Sequence, residues 1–262
     1  MQETSNPDLW NQVWSQSSHE DSEFWEWVEC ESNGVRGTKI QNYIRIHVGD
    51  LRGLKTIEVG SGLGIYSLIF ARLGADVTLL DYSEQALSFA SLCFQKNGLR
   101  AKFLLQNALE LDSALYAQYD VAMSFGTVEH FRYPERLQMI ETHVNLVRSG
   151  GVITISAPNK AFFPHEILKA YLQSQNKWKL GYEGAFSRAE FLKVSNTVNL
   201  NQIEVIGSAF LSDFQRYIRI YRSTNLAQKI LGSVSSNLPI LQRTSWLDNF
   251  FGSDLVLLGV KK

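Results

Sequence analysis

The sequence predicts an α/β protein built on a doubly wound, mostly parallel sheet. Three observations carry that expectation. Between residues 55 and 158 short apolar runs alternate with helix-length segments. A glycine cluster, Gly60 to Gly64, follows directly on the first of those runs. The runs are apolar throughout, as strands covered by helices on both faces must be.

The elements follow in order. KTIEV (55–59) reads as a buried strand, and Gly60 to Gly64 as a tight turn. IYSLIFARLG (65–74) reads as a helix closed by Gly74, and ADVTLLD (75–81) as a strand ending on an acid. SEQALSFASLCFQKNG (83–98) is a helix with Ser83 as N-cap and Gly98 as its stop. AKFLLQN (101–107) and YDVAMSF (119–125) are strands three and four. PERLQMIETHVNLVRSG (134–150) is a helix with Pro134 near its first turn, and GVITISAP (151–158) is strand five. Beyond 158 the rhythm breaks. Residues 159–186 read as an aromatic lid, 187–200 as a helix, 202–210 as a strand, 211–250 as a helical insertion and 253–262 as a final strand. Before 51, Trp10, Trp14, Phe24, Trp25, Trp27 and Val28 suggest short amphipathic helices packed on the rest.

Bulk composition narrows the function. With 45% hydrophobic and 19% charged residues, the 262-residue chain is globular. A net charge of −1 lacks the basic excess of a nucleic-acid binder. Cys30 and Cys93 make no zinc-site spacing, and so few cysteines suit a reducing cytoplasm. The polar N-terminus MQETSNPDLWNQ is not a signal peptide, and no apolar run reaches membrane-spanning length.

The central motif is Glu58-Val59-Gly60-Ser61-Gly62-Leu63-Gly64. A dinucleotide fingerprint needs a small third residue, but Ile65 and Ser67 occupy the two candidate positions. A P-loop needs Gly-Lys-Ser/Thr, but Ile65 and Tyr66 follow Gly64. Glu58 would repel a pyrophosphate and favour a cation. S-adenosylmethionine (SAM) carries both an ammonium and a sulfonium. Asp81, at the end of the second strand, is placed to accept hydrogen bonds from both ribose hydroxyls of an adenosine. Alone, it would read as an acid capping the next helix.

IEVGSGLGIYSLIFARLGADVTLLDYS (57–83) resembles motif I and the acidic motif II of class I SAM-dependent methyltransferases. LLQNALEL (104–111) resembles the adenine-contacting segment, with Asn107 where many relatives have Asp, followed by Ala108. YDVAMSFGTVEHF (119–131) resembles motif IV of the small-molecule branch, including quinone O-methyltransferases, and RSGGVITISAPN (148–159) the glycine turn and strand after it. The resemblance spans about residues 55–160. It implies a Rossmann-like methyltransferase fold with seven strands, the last antiparallel. It implies SAM as cofactor and S-adenosylhomocysteine (SAH) as product. The cofactor site would comprise Glu58, Gly60, Ser61, Gly62, Gly64, Asp81, Tyr82, Asn107, Ala108, Ser124, Phe125 and Gly126. The chain then divides into an N-terminal helical cap (1–50), a SAM-binding core (51–158) and the rest of the sheet with lid and insertion (159–262).

His130 is the candidate base, just past the fourth strand and with an ordinary pKa of about 6.5. The alternative is a histidine that only hydrogen-bonds its loop. Glu129 reads as a partner that orients His130 or as a helix-start carboxylate. His19, His47 and His143 lack supporting motifs. No acid cluster near the fourth strand suggests a metal site. Ser124-Phe125-Gly126-Thr127 is not the loop of a DNA amino-methyltransferase, and neither cysteine follows a proline as a cytosine C5 enzyme requires. A small-molecule acceptor remains, without nucleic acid. Phe162, Phe163, His165 and Tyr182, with Tyr171 and Trp178, make an aromatic lid suited to an apolar or aromatic acceptor, or simply a packed cap. Phe214, Tyr217, Ile218 and Tyr221 make one apolar helical face flanked by Arg216, Arg219 and Arg222. Residues 213–222 can therefore touch a membrane surface, although docking on the same domain is the preferred reading. The N-terminal Trp-rich helices are expected to cover the cofactor, and Arg36 is a candidate partner for the SAM carboxylate. Two other functions compete: a non-catalytic SAM-binding subunit and a nicotinamide-dependent oxidoreductase.

Overall fold

The computed structural model describes residues 6–15, 22–223 and 244–262. His19 and most of the second half of the expected insertion lie outside the described residues, as does the Arg222 side chain. Three helices lead the chain: α1 (Pro7–Trp14), α2 (Ser22–Asn33) and α3 (Val35–Val48). An alternating run follows: β1 (Lys55–Val59), α4 (Ile65–Arg72), β2 (Asp76–Asp81), α5 (Glu84–Lys96) and β3 (Lys102–Leu105). It continues through β4 (Tyr119–Phe125), α6 (Glu135–Leu146) and β5 (Val147–Pro158). The last part holds α7 (Phe163–Ser174), α8 (Arg188–Ser195), β6 (Leu200–Gly207), α9 (Phe210–Ser223), a helical turn at Asp248–Phe251 and β7 (Asp254–Lys261).

The seven strands form one sheet in the order β3-β2-β1-β4-β5-β7-β6. The inner pairs are parallel, and β7 runs antiparallel to both β5 and β6. This is the doubly wound, seven-stranded architecture the sequence implied. Strand order reverses between β1 and β4, which opens a crevice at their carboxyl ends. Alternate residues feed two cores. Val121 and Met123 face the side of α3, α4 and α5, while Ala122 joins Met139, Ile140 and Val144 of α6 and Phe191 of α8. Among the described residues no helix is long and apolar enough to cross a membrane.

Element boundaries moved where tertiary pairing outweighed local pattern. The expected helix 134–150 stops at Leu146, because Val147 already pairs with Tyr119 and starts β5 four residues early. The helix expected over 187–200 ends at Ser195, and the strand expected over 202–210 runs from Leu200 to Gly207. Within the expected lid, residues 163–174 form the regular helix α7. Helix α9 packs on α7: Phe162 and Tyr217 rings meet edge to face at 5.0 Å, and the Tyr221 hydroxyl donates to the Pro164 carbonyl.

Two glycines allow a matched test. Gly64, the N-cap of α4, has φ +67°, and a methyl there would lie 2.4 Å from Leu79 Cδ2. Gly98 has φ +64° with nothing within 4 Å. Gly98→Ala is expected to cost about 1–2 kcal/mol, the left-handed strain alone. Gly64→Ala adds displacement of Leu79 and is expected to cost clearly more in urea unfolding; equal losses would contradict the packing assigned to the turn.

Candidate active site

The carboxyl ends of β1, β2 and β4 open into a cavity of about 370 Å³. The glycine turn forms its floor. Gly60 has φ +61°, and a methyl there would lie 2.4 Å from Thr127 Cγ2, so the turn and the loop after β4 touch through bare backbone. Thr127 Oγ1 donates to the Gly60 carbonyl at 3.1 Å and holds the two loops together.

Asp81 closes the turn from the side. Its Oδ2 accepts from Gly62 N at 2.8 Å and its Oδ1 from Ser83 N at 2.9 Å. Only 4% of the residue is exposed, and burial pushes its carboxyl above the usual range against those hydrogen bonds. The Tyr82 backbone N–H also donates to this carboxyl, which leaves at least one acceptor site for a ribose hydroxyl. Glu58 is also buried and accepts from Ser67 N at 2.9 Å. Burial, helped by the neighbouring Asp81 charge, pushes its carboxyl up to about 7. Both acids line the cavity, as do Gly60, Ser61, Gly62, Gly64, Tyr82, Asn107, Ala108, Phe125 and Gly126. Ser124 does not: it is fully buried, and its hydroxyl has no partner. Phe125 lies flat against Tyr66, ring centroids 3.6 Å apart.

The turn Val128–His130 carries the other chemistry. His130 Nδ1 donates to the Tyr182 carbonyl at 2.8 Å, which leaves the lone pair of the neutral ring on Nε2. Burial lowers its pKa, although the carbonyls of Tyr182 and Leu180 oppose that, so the ring is neutral at pH 7. No hydrogen bond joins the Glu129 side chain to His130; the backbone of Tyr182 does the orienting expected of it. Glu129 is 2% exposed, and its Oε2 has no partner. Burial, then the Glu183 charge, pushes its carboxyl well above the usual range. His130 and Glu129 both line the cavity.

None of the four expected lid side chains lines it. Phe162 is buried against Tyr217, and Phe163 is 61% exposed. His165 bridges Glu183 Oε1 at 2.6 Å and the Tyr217 hydroxyl at 2.8 Å. Tyr182 lies 3.7 Å under the Arg132 guanidinium. The segment reaches the cavity through Leu180 and Glu183 instead. His165, Glu166 and Glu183 are close enough together for a metal ion. Lys169 Nζ already sits 2.8 Å from Glu166 Oε1 and 3.5 Å from Glu183 Oε1, and supplies the positive charge there.

Arg36 also reaches the cavity, but two carboxylates already hold it. It makes a fork with Glu31 at 2.7 and 3.1 Å and an ion pair with Asp254 at 3.0 Å. Tyr66 adds a 2.6 Å bond to Glu31. The expected pairing with a cofactor carboxylate finds this guanidinium committed. Sequence reasoning missed Arg136, whose buried guanidinium donates to the carbonyls of Phe131, Glu129 and Gly184 and pairs with Glu190 at 3.1 Å. It ties the His130 turn to the segment that orients His130, and a lone arginine in a helix gives no sign of this in sequence. Missed too were Thr127, Tyr66 and Glu183; Trp10 and Trp14, from the N-terminal helices expected to cover the cofactor, do line the cavity.

A family model described as "Methyltransferase domain" matches residues 57–151. The ubiquinone biosynthesis O-methyltransferase of Proteus mirabilis (strain HI4320) is 31% identical over 171 residues, 63% of this chain and 69% of that one. The enzyme of the same name from Bordetella avium (strain 197N) is 29% identical over 58% of this chain and 62% of its own length. The chain thus spans under two thirds of the Bordetella relative. Among solved structures, magnesium protoporphyrin IX methyltransferase from Synechocystis PCC 6803 with bound SAH aligns over 97% of this chain and 93% of its own, with a TM-score of 0.57 and 14% identity. The PH0226 protein from Pyrococcus horikoshii OT3 aligns over 98% and 100%, with a TM-score of 0.60 and 10% identity. At these identities the likeness is one of fold.

The raised Glu58 pKa predicts a stability effect. Unfolded, the carboxyl titrates near its ordinary 4.5; folded, it is pushed up to about 7. The folded state therefore binds more protons between those values, and Glu58 weakens the fold as pH rises through that window. At about 1.4 kcal/mol per pH unit the loss is on the order of 3 kcal/mol. Urea unfolding of wild type and Glu58→Gln at pH 5 and pH 8 should show the variant gaining on wild type at pH 8. A pH-independent difference would contradict the burial of this acid.

Proposed function

We propose that this chain, which belongs to the class I SAM-dependent methyltransferases, transfers the methyl group of SAM to an oxygen or nitrogen of a small, flat, largely apolar molecule. The observation that carries the reading is the pair Glu58 and Asp81, both buried and both lining the cavity at the glycine turn, with no ion pair to either among the described residues. Such acids suit a ligand with an ammonium and a ribose diol, and disfavour a pyrophosphate. With Ile65 where a dinucleotide turn needs a small residue, the nicotinamide reading has no support.

When bound, SAM supplies a methyl group made electrophilic by its sulfonium. The protein's part is to hold, orient and deprotonate. Asp81 would take the ribose hydroxyls, Glu58 the ammonium side, and Asn107 and Ala108 the adenine side. Phe125, Tyr66 and Phe131 give the remaining wall an apolar surface that excludes water. His130, neutral and held through Nδ1, presents Nε2 to take the acceptor's proton as its lone pair attacks. Glu129, which lines the same cavity with Oε2 unpartnered, would exchange a hydrogen bond with the acceptor. The O-methyltransferase activity named for the relatives favours oxygen as the acceptor atom.

The reading is tested by transfer of labelled methyl from SAM to a panel of small phenols and amines. Wild type is expected to label at least one. His130→Gln is expected to lower kcat by roughly 10²–10⁴-fold, the usual contribution of a general base, with SAH affinity unchanged. Undiminished turnover in that variant would remove His130 from the chemistry, and no transfer to any acceptor despite SAH binding would favour a non-catalytic subunit.

A further inference from the structure

Helix α1 has no fully buried residue, yet it touches the glycine turn, the segment after Asp81 and His130. Its N-cap is satisfied locally, with Asn6 Oδ1 accepting from Leu9 N at 2.8 Å. Its middle is fixed to the segment after Asp81: Asn11 Oδ1 accepts from Ser83 Oγ at 2.8 Å and from Gln85 N at 3.4 Å. Its last turn puts the Trp14 indole directly over the glycine turn, where a methyl added to Gly62 would lie 2.8 Å from Trp14 Cζ2. One turn earlier, Trp10 stacks on Trp14 at 5.9 Å and meets the His130 ring edge to face at 4.8 Å. Both indoles line the cavity. A continuous aromatic wall therefore runs from the cofactor turn to the candidate base.

That placement is poorly explained by folding alone. A tryptophan that stabilises a core buries its ring on all sides; these two leave one face on an open cavity. An eight-residue helix is also too short to persist on its own propensity, so its tertiary contacts hold it. Those contacts join it both to helix α5 and to the loops of the site.

We infer that α1 is part of the binding site: Trp14 packs on the bound cofactor over the glycine turn, and Trp10 walls the space between cofactor and His130 where the acceptor enters. This rests on the SAM reading of the cavity. Trp14 is then a cofactor-binding residue and Trp10 a positioning residue beside the base. The helix also closes the cavity against water at the point of transfer.

The test uses the full chain with SAH as the probe, read by calorimetry and by thermal unfolding. Trp14→Ala is expected to weaken SAH binding at least tenfold, while unfolding of the ligand-free protein shifts by no more than about 2 °C, since no residue of α1 is fully buried. The SAH-induced rise in Tm should shrink in step with affinity. Trp14→Phe, which keeps an aromatic face, should recover most of the affinity. Trp10→Ala should weaken SAH binding less than Trp14→Ala, because its ring faces His130. Wild-type affinity in Trp14→Ala would overturn the inference. So would a lowered ligand-free Tm with an undiminished SAH-induced rise, which marks a structural role. If wild type itself binds no SAH, it is the cofactor reading that fails.

Discussion

Two carboxyl groups, Glu58 and Asp81, sit in low dielectric at the point where the strand order of the sheet reverses. Removing such groups from water costs several kcal/mol each unless something compensates. Compensation here is partial. Gly62, Tyr82, Ser83 and Ser67 donate backbone N–H groups, and among the described residues no ion pair reaches either acid. The left-handed glycines of the turn exist to bring those N–H groups within reach, and Thr127 can lie on Gly60 only because no side chain intervenes. The cost left over is what a cationic, diol-bearing ligand would recover. Contrast Glu31 and Glu183, also at the cavity, which are held below the usual carboxylate range despite their burial, the one by Arg36 and the other by His165 and Lys169.

The same logic organises the far end of the cavity. His130 and Glu129 are neighbours in sequence but have separate environments. The histidine is fixed by a carbonyl from residue 182, and the acid is left with an unpartnered oxygen. Arg136 makes this arrangement rigid by gathering three carbonyls from the two segments concerned. A base that is neutral, oriented and half-enclosed by aromatic rings is suited to proton removal near neutral pH.

The parts that were readable in the sequence are those encoded locally. Strand, glycine turn, helix and acid fall within 27 consecutive residues (57–83), so spacing alone placed Glu58, the glycines and Asp81 together. Ser83 behaves as the N-cap it resembles, accepting from Ala86 N at 3.2 Å. What was illegible is set by residues far apart in the chain. The α6–β5 boundary depends on Val147 finding Tyr119. Arg36 looked available until Asp254, more than two hundred residues later, came beside it. The aromatic lid misled because composition shows that rings are present but not which way they face. Phe162 turned inward to α9 and Phe163 outward, and the cavity is walled instead by rings of the core such as Phe125 and Tyr66 and by Trp10 and Trp14 of the N-terminal helix.

The most direct measurement is calorimetry of SAH binding to wild type and to Asp81→Ala, with folding of the variant verified by circular dichroism. The account predicts micromolar binding by wild type and its loss in the variant, because the carboxylate that shapes the glycine turn also receives the ribose. Absence of binding to folded wild-type protein, or equal binding by both, would contradict it.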